Sequence, residues 1–119
     1  MIVDRNGFQA NVNTEALVPL EPLEAKFSAF GCAVRRVDGH DPAALQAALA
    51  AFPYESTGGV RLGPSVLIAD TVRGKGLPSL ENRADRWFCN FTAAEIEDLV
   101  AELHGRPPAQ LRSVPIVAR

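Results

Sequence analysis

The sequence predicts an α/β fold: a partial doubly wound parallel sheet of about three strands with helices on both faces. Three observations predict it. Short apolar runs at residues 1–4, 32–37 and 65–70 read as strands, and the last is nearly continuous in apolar residues, as strands buried on both faces are. Between them lie segments with apolar residues at three- and four-residue spacing, which is the helical period. Each helical segment carries its own start or stop signal.

Taken in order, Met1-Ile2-Val3-Asp4 is a strand that runs into an Asn6-Gly7 turn. Leu20, Leu23, Phe27 and Phe30 then mark an amphipathic helix ended by Gly31 as a glycine C-cap. Residues 32–37 form the second strand. Asp41 and Pro42 suit the N-cap and first position of the next helix, whose buried face is Leu45, Ala48, Leu49 and Phe52 and whose stop is Pro53. The aperiodic segment 54–63 reads as a surface loop. Residues 65–70 form the third strand, followed by the glycine-punctuated loop 71–76. Residues 77–91 show no period. Thr92 and Glu95 then form a capping box for a helix with Ile96, Leu99, Val100 and Leu103 on its apolar face, ended by Gly105. Residues 1–105 thus form one body, and 106–119 a proline-containing extended tail. A sheet of three strands leaves two open edges, and the first strand is expected to pair with a strand from elsewhere.

Composition narrows the function. Hydrophobic residues make up 47% and charged residues 22%, so the chain can bury a core and is not disordered. The net charge of −2, without a basic run or aromatic-basic interleaving, gives no reason to expect nucleic acid. No apolar stretch reaches the length of a membrane span, and residues 1–7 lack the pattern of a secretory signal. Cys32 and Cys89 fall outside any metal-ligand spacing and read as reduced small hydrophobes of a cytoplasmic protein.

In an open parallel sheet, ligands collect at the carboxyl ends of the strands. Three polar clusters fall there: Asp4-Arg5-Asn6-Gly7, Asp38-Gly39-His40-Asp41, and Thr71 to Gly76. Asn6-Gly7 is either a plain turn or a ligand-bearing one. His40 and Asp41 either shape a helix start or face a ligand. Arg73-Gly74-Lys75-Gly76 is either a solvated turn or an anion cradle of backbone N–H groups and cationic side chains. No Ser/His/Asp set and no His-Glu-x-x-His motif accompanies them.

Together, in order and at matched spacing, the clusters resemble the transketolase family. Val3-Asp4-Arg5-Asn6-Gly7 resembles the end of its thiamine-diphosphate motif, which opens with Gly-Asp-Gly and closes on an asparagine. Residues 29–34 and Val37-Asp38-Gly39-His40-Asp41 look like its Phe-Gly and Asp-Gly-His-Asp stretch, and residues 66–76 look like its strand and Gly-Lys-Gly loop. Glu81 and Trp87 stand near the family's acidic residue and Trp-His pair, although this chain reads Trp87-Phe88. Deoxyxylulose-phosphate synthases share part of this series.

The resemblance implies the C-terminal part of a diphosphate-binding domain, as in split transketolases. It implies thiamine diphosphate and Mg²⁺ shared with partner chains, the metal taking oxygen ligands from the Asn6 amide and the Phe8 carbonyl. Gly74 and Lys75 would bind the cofactor, and His40 and Arg73 would be catalytic. The reaction would be transfer of a two-carbon ketol unit between sugar phosphates or related polyols. Other subunits would supply the Gly-Asp-Gly segment, the pyrimidine-binding domain and the C-terminal domain. A non-catalytic or regulatory subunit that completes such a partner is the alternative, favoured by Phe88. A fragment of a longer protein would also fit a start inside a strand.

Overall fold

The computed structural model describes residues 1–53 and 63–116. In chain order the elements are β1 (Ile2–Arg5), β2 (Phe8–Gln9), β3 (Val12–Asn13), α1 (Thr14–Leu17), α2 (Leu23–Ala29), β4 (Ala33–Asp38), α3 (Pro42–Ala50), β5 (Ser65–Asp70) and α4 (Ala93–Leu103), with a 3₁₀ turn at Ala84–Arg86. They divide into two compact units, one of Met1–Asn6 with Val18–Thr71 and one of Gly7–Leu17 with Val72–Arg119.

The first unit is a three-stranded parallel sheet in the order β1-β5-β4. β5 is central because it can be buried on both sides: Val66, Leu67 and Ile68 are fully enclosed. Side chains alternate across a strand, so Val66 and Ile68 meet Leu23 and Phe27 of α2 on one face. Leu67 meets Ala48 and Phe52 of the α3 side on the other. The sheet is therefore covered on both faces, as the apolar run of β5 requires. β1 lies at an edge, in register Ile2 to Leu67 and Arg5 to Asp70.

The helix signals hold with two differences. Asp41 caps α3 by accepting from the N–H groups of Ala43 and Ala44 at 2.9 and 3.0 Å, with Pro42 in the first turn. α2 is shorter than its apolar spacing predicts. The helix begins only after the extended Pro22, so Leu20 packs on the core from the segment before it, and Phe30, beyond the last turn, is 83% exposed. Gly31 takes φ +77 just after the helix, where a side chain would be strained. The predicted loop 54–63 lies outside the described residues except for Gly63.

The second unit contains elements that carry no clear sequence signal: the β2–β3 hairpin and the short α1. Their apolar residues are too few for a period to show. The hairpin pairs Phe8 with Asn13 and Gln9 with Val12, and turns at Ala10 with φ +51. α4 has the predicted capping box, in which the Glu95 carboxylate accepts from the Thr92 N–H at 2.9 Å. Of its predicted apolar face, however, only Leu99 is buried. Glu95, Leu99 and Glu102 are buried, while Ile96, Val100 and Leu103 are more than half exposed. The reason is polar: Glu95 accepts from the N–H groups of Arg112 and Ser113, and Glu102 from those of Ser79 and Ala109. These bonds hold residues 109–113 along α4, so this part of the tail is bound rather than free.

Candidate functional site

At the carboxyl ends of the parallel strands, each loop is shaped by its own residues. Beyond β4, the Asp38 carboxylate accepts from the His40 N–H at 2.8 Å, an Asx turn that sets the direction of the loop. Gly39 donates its N–H to the Asp70 carbonyl at 2.7 Å. A Cβ on Gly39 would lie 2.5 Å from Thr71 Cγ2 and 2.9 Å from the Asp70 oxygen, so only glycine lets this loop lie against the end of β5. His40 projects from it, exposed. The Thr71 hydroxyl donates to the Asp4 carboxylate at the end of β1. Asp4, His40 and Thr71 are thus gathered at one end of one sheet, as a ligand site of this fold requires.

Beside them runs an ion-pair network that the sequence pattern does not announce. Arg36 donates to both oxygens of Asp70 and both of Glu21, and Arg5 Nε donates to Glu21 at 3.0 Å. Hydrogen bonds from Arg36, the Leu23 N–H and Arg5 hold the Glu21 carboxyl down to about 2. The same contacts with Asp70 and Glu21 raise Arg36 further above its ordinary value. The only sequence signal is the pair Arg35-Arg36 between the apolar residues of β4.

The second unit carries Phe8, Arg73, Gly74 and Lys75. The Arg73 guanidinium lies 4.6 Å from the centroid of the Phe8 ring and 4.6 Å from that of Trp87, and its Nη1 donates to the Ala10 carbonyl at 2.6 Å. Gly74 has φ +76, and a Cβ there would come within 3.1 Å of the Leu80 backbone. The N–H groups of Lys75 and Gly76 both have partners within the loop region. Lys75 N–H donates to the Val72 carbonyl and Gly76 N–H to the Glu81 carboxylate, so the loop spends these donors on its own turns. The exposed Lys75 side chain is the group of this loop available to an anion.

As metal ligands, the Asn6 amide and the Phe8 carbonyl are hard oxygen donors of the kind Mg²⁺ takes, separated by Gly7 at φ +78. The Asn11 side-chain oxygen is a further buried acceptor that meets no donor among the described residues. No group of three or more His, Cys, Asp or Glu residues forms a metal cluster among them either. Taken singly, the Asn6 amide and the Phe8 carbonyl are each a donor of the type an Mg²⁺–diphosphate site takes. Among the described residues, no helix is long and apolar enough to cross a membrane.

The chain is similar in sequence to several known proteins. The chain is 32% identical over 100 residues to the 6-deoxy-6-sulfo-D-fructose transketolase subunit of a Clostridium species, covering 84% of this chain and 34% of that protein. It is 38% identical over 94 residues to a transketolase family protein of Sinorhizobium fredii, covering 79% of this chain and 32% of that one. It is 29% identical over 106 residues to an apulose-4-phosphate transketolase subunit of Phocaeicola vulgatus, covering 88% and 36% respectively. The chain spans about a third of the length of these curated relatives. No family model matches it. Through relatives that align with most of its length, this chain belongs to the transketolase family.

Proposed function

We propose that the chain is one subunit of a split, thiamine-diphosphate-dependent transketolase that transfers a two-carbon ketol unit between sugar phosphates or related polyols. The observation that carries this reading is the convergence of Asp4, His40 and Thr71 at the carboxyl ends of the parallel strands, in a chain whose relatives include proteins named as transketolase subunits. Partner subunits supply the Gly-Asp-Gly segment and the pyrimidine-binding and C-terminal domains. The exposed Ile96, Val100 and Leu103 stripe on α4 and the open edge of β1 are surfaces suited to such partners.

In this reading the Asn6 amide oxygen and the Phe8 carbonyl hold Mg²⁺ together with a partner carboxylate. When bound, thiamine diphosphate supplies the nucleophilic carbon and the electron sink for carbon–carbon bond cleavage and formation. His40, exposed on a loop fixed by Asp38, would hold or move a proton at a substrate hydroxyl. The Lys75 ammonium neutralises phosphate. Phe88 can do neither, since a phenyl ring has no donor and no titratable proton. That substitution is the observation favouring a second reading, a non-catalytic subunit that binds a transketolase-like partner.

Co-expression with the products of neighbouring genes separates the two. An active complex that transfers a ketol unit from a ketose phosphate to an aldose phosphate, and that needs both thiamine diphosphate and Mg²⁺, supports the enzyme. Asn6→Ala in that complex should weaken Mg²⁺ and cofactor binding at least tenfold without loss of assembly. A complex that assembles but stays inactive with every ketose phosphate tried supports the regulatory subunit. Unchanged affinities in Asn6→Ala remove the metal-ligand role.

A further inference from the structure

We propose that Arg73 is a positioning residue, which holds the Phe8 hairpin in place for metal binding, rather than a group that touches cofactor or substrate. The inference rests on the reading of Phe8 as a metal ligand and deepens it. Its basis is the way the guanidinium is used. The guanidinium lies over two ring faces, those of Phe8 and Trp87, each 4.6 Å from ring centroid to guanidinium carbon. A planar cation gains from each such face. Its edge is engaged as well, Nη1 donating to the Ala10 carbonyl at 2.6 Å. A side chain stacked in this way does not swing out to meet a substrate without giving up three contacts.

What these contacts fix is the hairpin. Ala10 is the turn residue between β2 and β3, held at φ +51, a conformation that an L-residue leaves readily. Phe8 is the first residue of the same hairpin, and the Thr14 N–H closes its far end on the Gly7 carbonyl at 2.9 Å. A two-residue ladder has little stability of its own. Arg73 grips it at the ring of Phe8 and at the carbonyl of Ala10, two residues apart. Arg73 is itself anchored, because the Asn82 N–H donates to its carbonyl at 3.0 Å and Gly74 turns the chain immediately after it. The carbonyl of Phe8 is thereby set by a chain of contacts that runs through one guanidinium. Lysine would not substitute: an ammonium is a point charge, without two flat faces or an edge donor fixed in the same plane.

The test has two arms. In the purified chain, amide exchange at Thr14 reports closure of the hairpin, and the emission of Trp87, the only tryptophan, reports the stack. Arg73→Lys and Phe8→Leu should each speed Thr14 exchange about tenfold and shift Trp87 emission, with far-UV circular dichroism unchanged. In the assembled enzyme, each should raise the Mg²⁺ concentration for half-saturation about tenfold, and the double variant should do little more than either, because both break one stack. Phe8→Leu keeps the backbone carbonyl, so its effect has to pass through position. Thr14 exchange unaltered in both variants overturns the proposal. So does an Arg73→Lys effect on Mg²⁺ or turnover that Phe8→Leu does not share, which would place the guanidinium on the ligand. If the wild-type assembly binds no thiamine diphosphate, the reading under Proposed function fails, and the exchange arm alone decides whether Arg73 holds the hairpin.

Discussion

The Arg36 guanidinium meets the Asp70 carboxylate edge to edge, Nε and Nη2 each donating at 2.8 Å to a separate oxygen. This two-point contact joins the strands β4 and β5, and the same arginine reaches both oxygens of Glu21 at 3.1 Å. The side chains of Arg36 and Asp70 are 28% and 44% exposed, so water screens part of the attraction. Arg36→Ala is expected to destabilise the protein by about 1–2 kcal/mol. Arg36→Lys should recover less than half of that, since an ammonium cannot make the paired bond. Urea unfolding measures both, and a lysine variant as stable as the wild type would show that charge alone matters.

Glu21 gives the same network a pH dependence. Its carboxyl is held down to about 2 from an ordinary 4.5, chiefly by Arg36, then by the Leu23 N–H and Arg5. A group depressed in the folded state stabilises when ionised, so its contribution is complete above pH 4.5 and drains as pH falls toward 2. Glu95 is also depressed, mainly by the Ser113 hydroxyl, and will add to acid sensitivity. The contribution of Glu21 is therefore read as a difference. Stability of wild type minus Glu21→Gln should shrink across that window, and a flat difference would mean that the carboxylate is not held by Arg36 in solution.

The first unit is largely legible in the sequence because its signals are local. β5 reads as buried from its own apolar run, and Asp41-Pro42 announces its helix through bonds to neighbouring N–H groups, as Thr92…Glu95 does in the second unit. The misreading of α4 has a definite cause. Hydrophobic spacing marks Ile96, Leu99, Val100 and Leu103 as the inner face, yet only Leu99 of these is buried, between two carboxylates. Glu95 finds its partners 17 and 18 residues away, and Glu102 finds its own 7 and 23 residues away. Long-range acceptance by a carboxylate leaves no periodic trace. The stacking of Arg73 is invisible for a similar reason, since Phe8 and Trp87 lie on distant segments. The family resemblance brings Arg73 forward as a residue of interest, and the contacts it makes are a separate finding of the structure.

Gly39 is expected to tolerate no side chain. An added methyl would sit 2.5 Å from Thr71 Cγ2, 2.9 Å from the Asp70 carbonyl oxygen and 3.1 Å from the Ala69 Cβ, two of them on the end of β5. Relief would require the loop that carries His40 to lift and the bond from Gly39 N–H to Asp70 to stretch. Gly39→Ala should cost about 3 kcal/mol, at the upper end for inserting a methylene into a packed site. Thermal unfolding measures it. A loss below about 0.5 kcal/mol, the range of ordinary surface substitutions, would show that the loop does not lie against the strand.

Ala10 presents the opposite case, a residue whose side chain costs stability. It holds φ +51 at the turn of a hairpin whose paired residues are only Phe8 with Asn13 and Gln9 with Val12. For an L-residue that conformation is unfavourable by about 1–2 kcal/mol, whereas glycine adopts it freely. Glycine also gives the unfolded chain more freedom, which costs about 0.4–1 kcal/mol in the other direction. The strain is the larger of the two, so Ala10→Gly should stabilise by about 0.5–1 kcal/mol. The carbonyl that accepts from Arg73 belongs to the backbone and is retained. Ala10→Val sharpens the contrast, because a β-branched side chain at positive φ clashes with its own backbone and should destabilise. Thermal unfolding of the two variants, with Thr14 amide exchange as the local reading, checks the order glycine above alanine above valine. Valine equal to alanine would mean that the turn does not take the left-handed conformation.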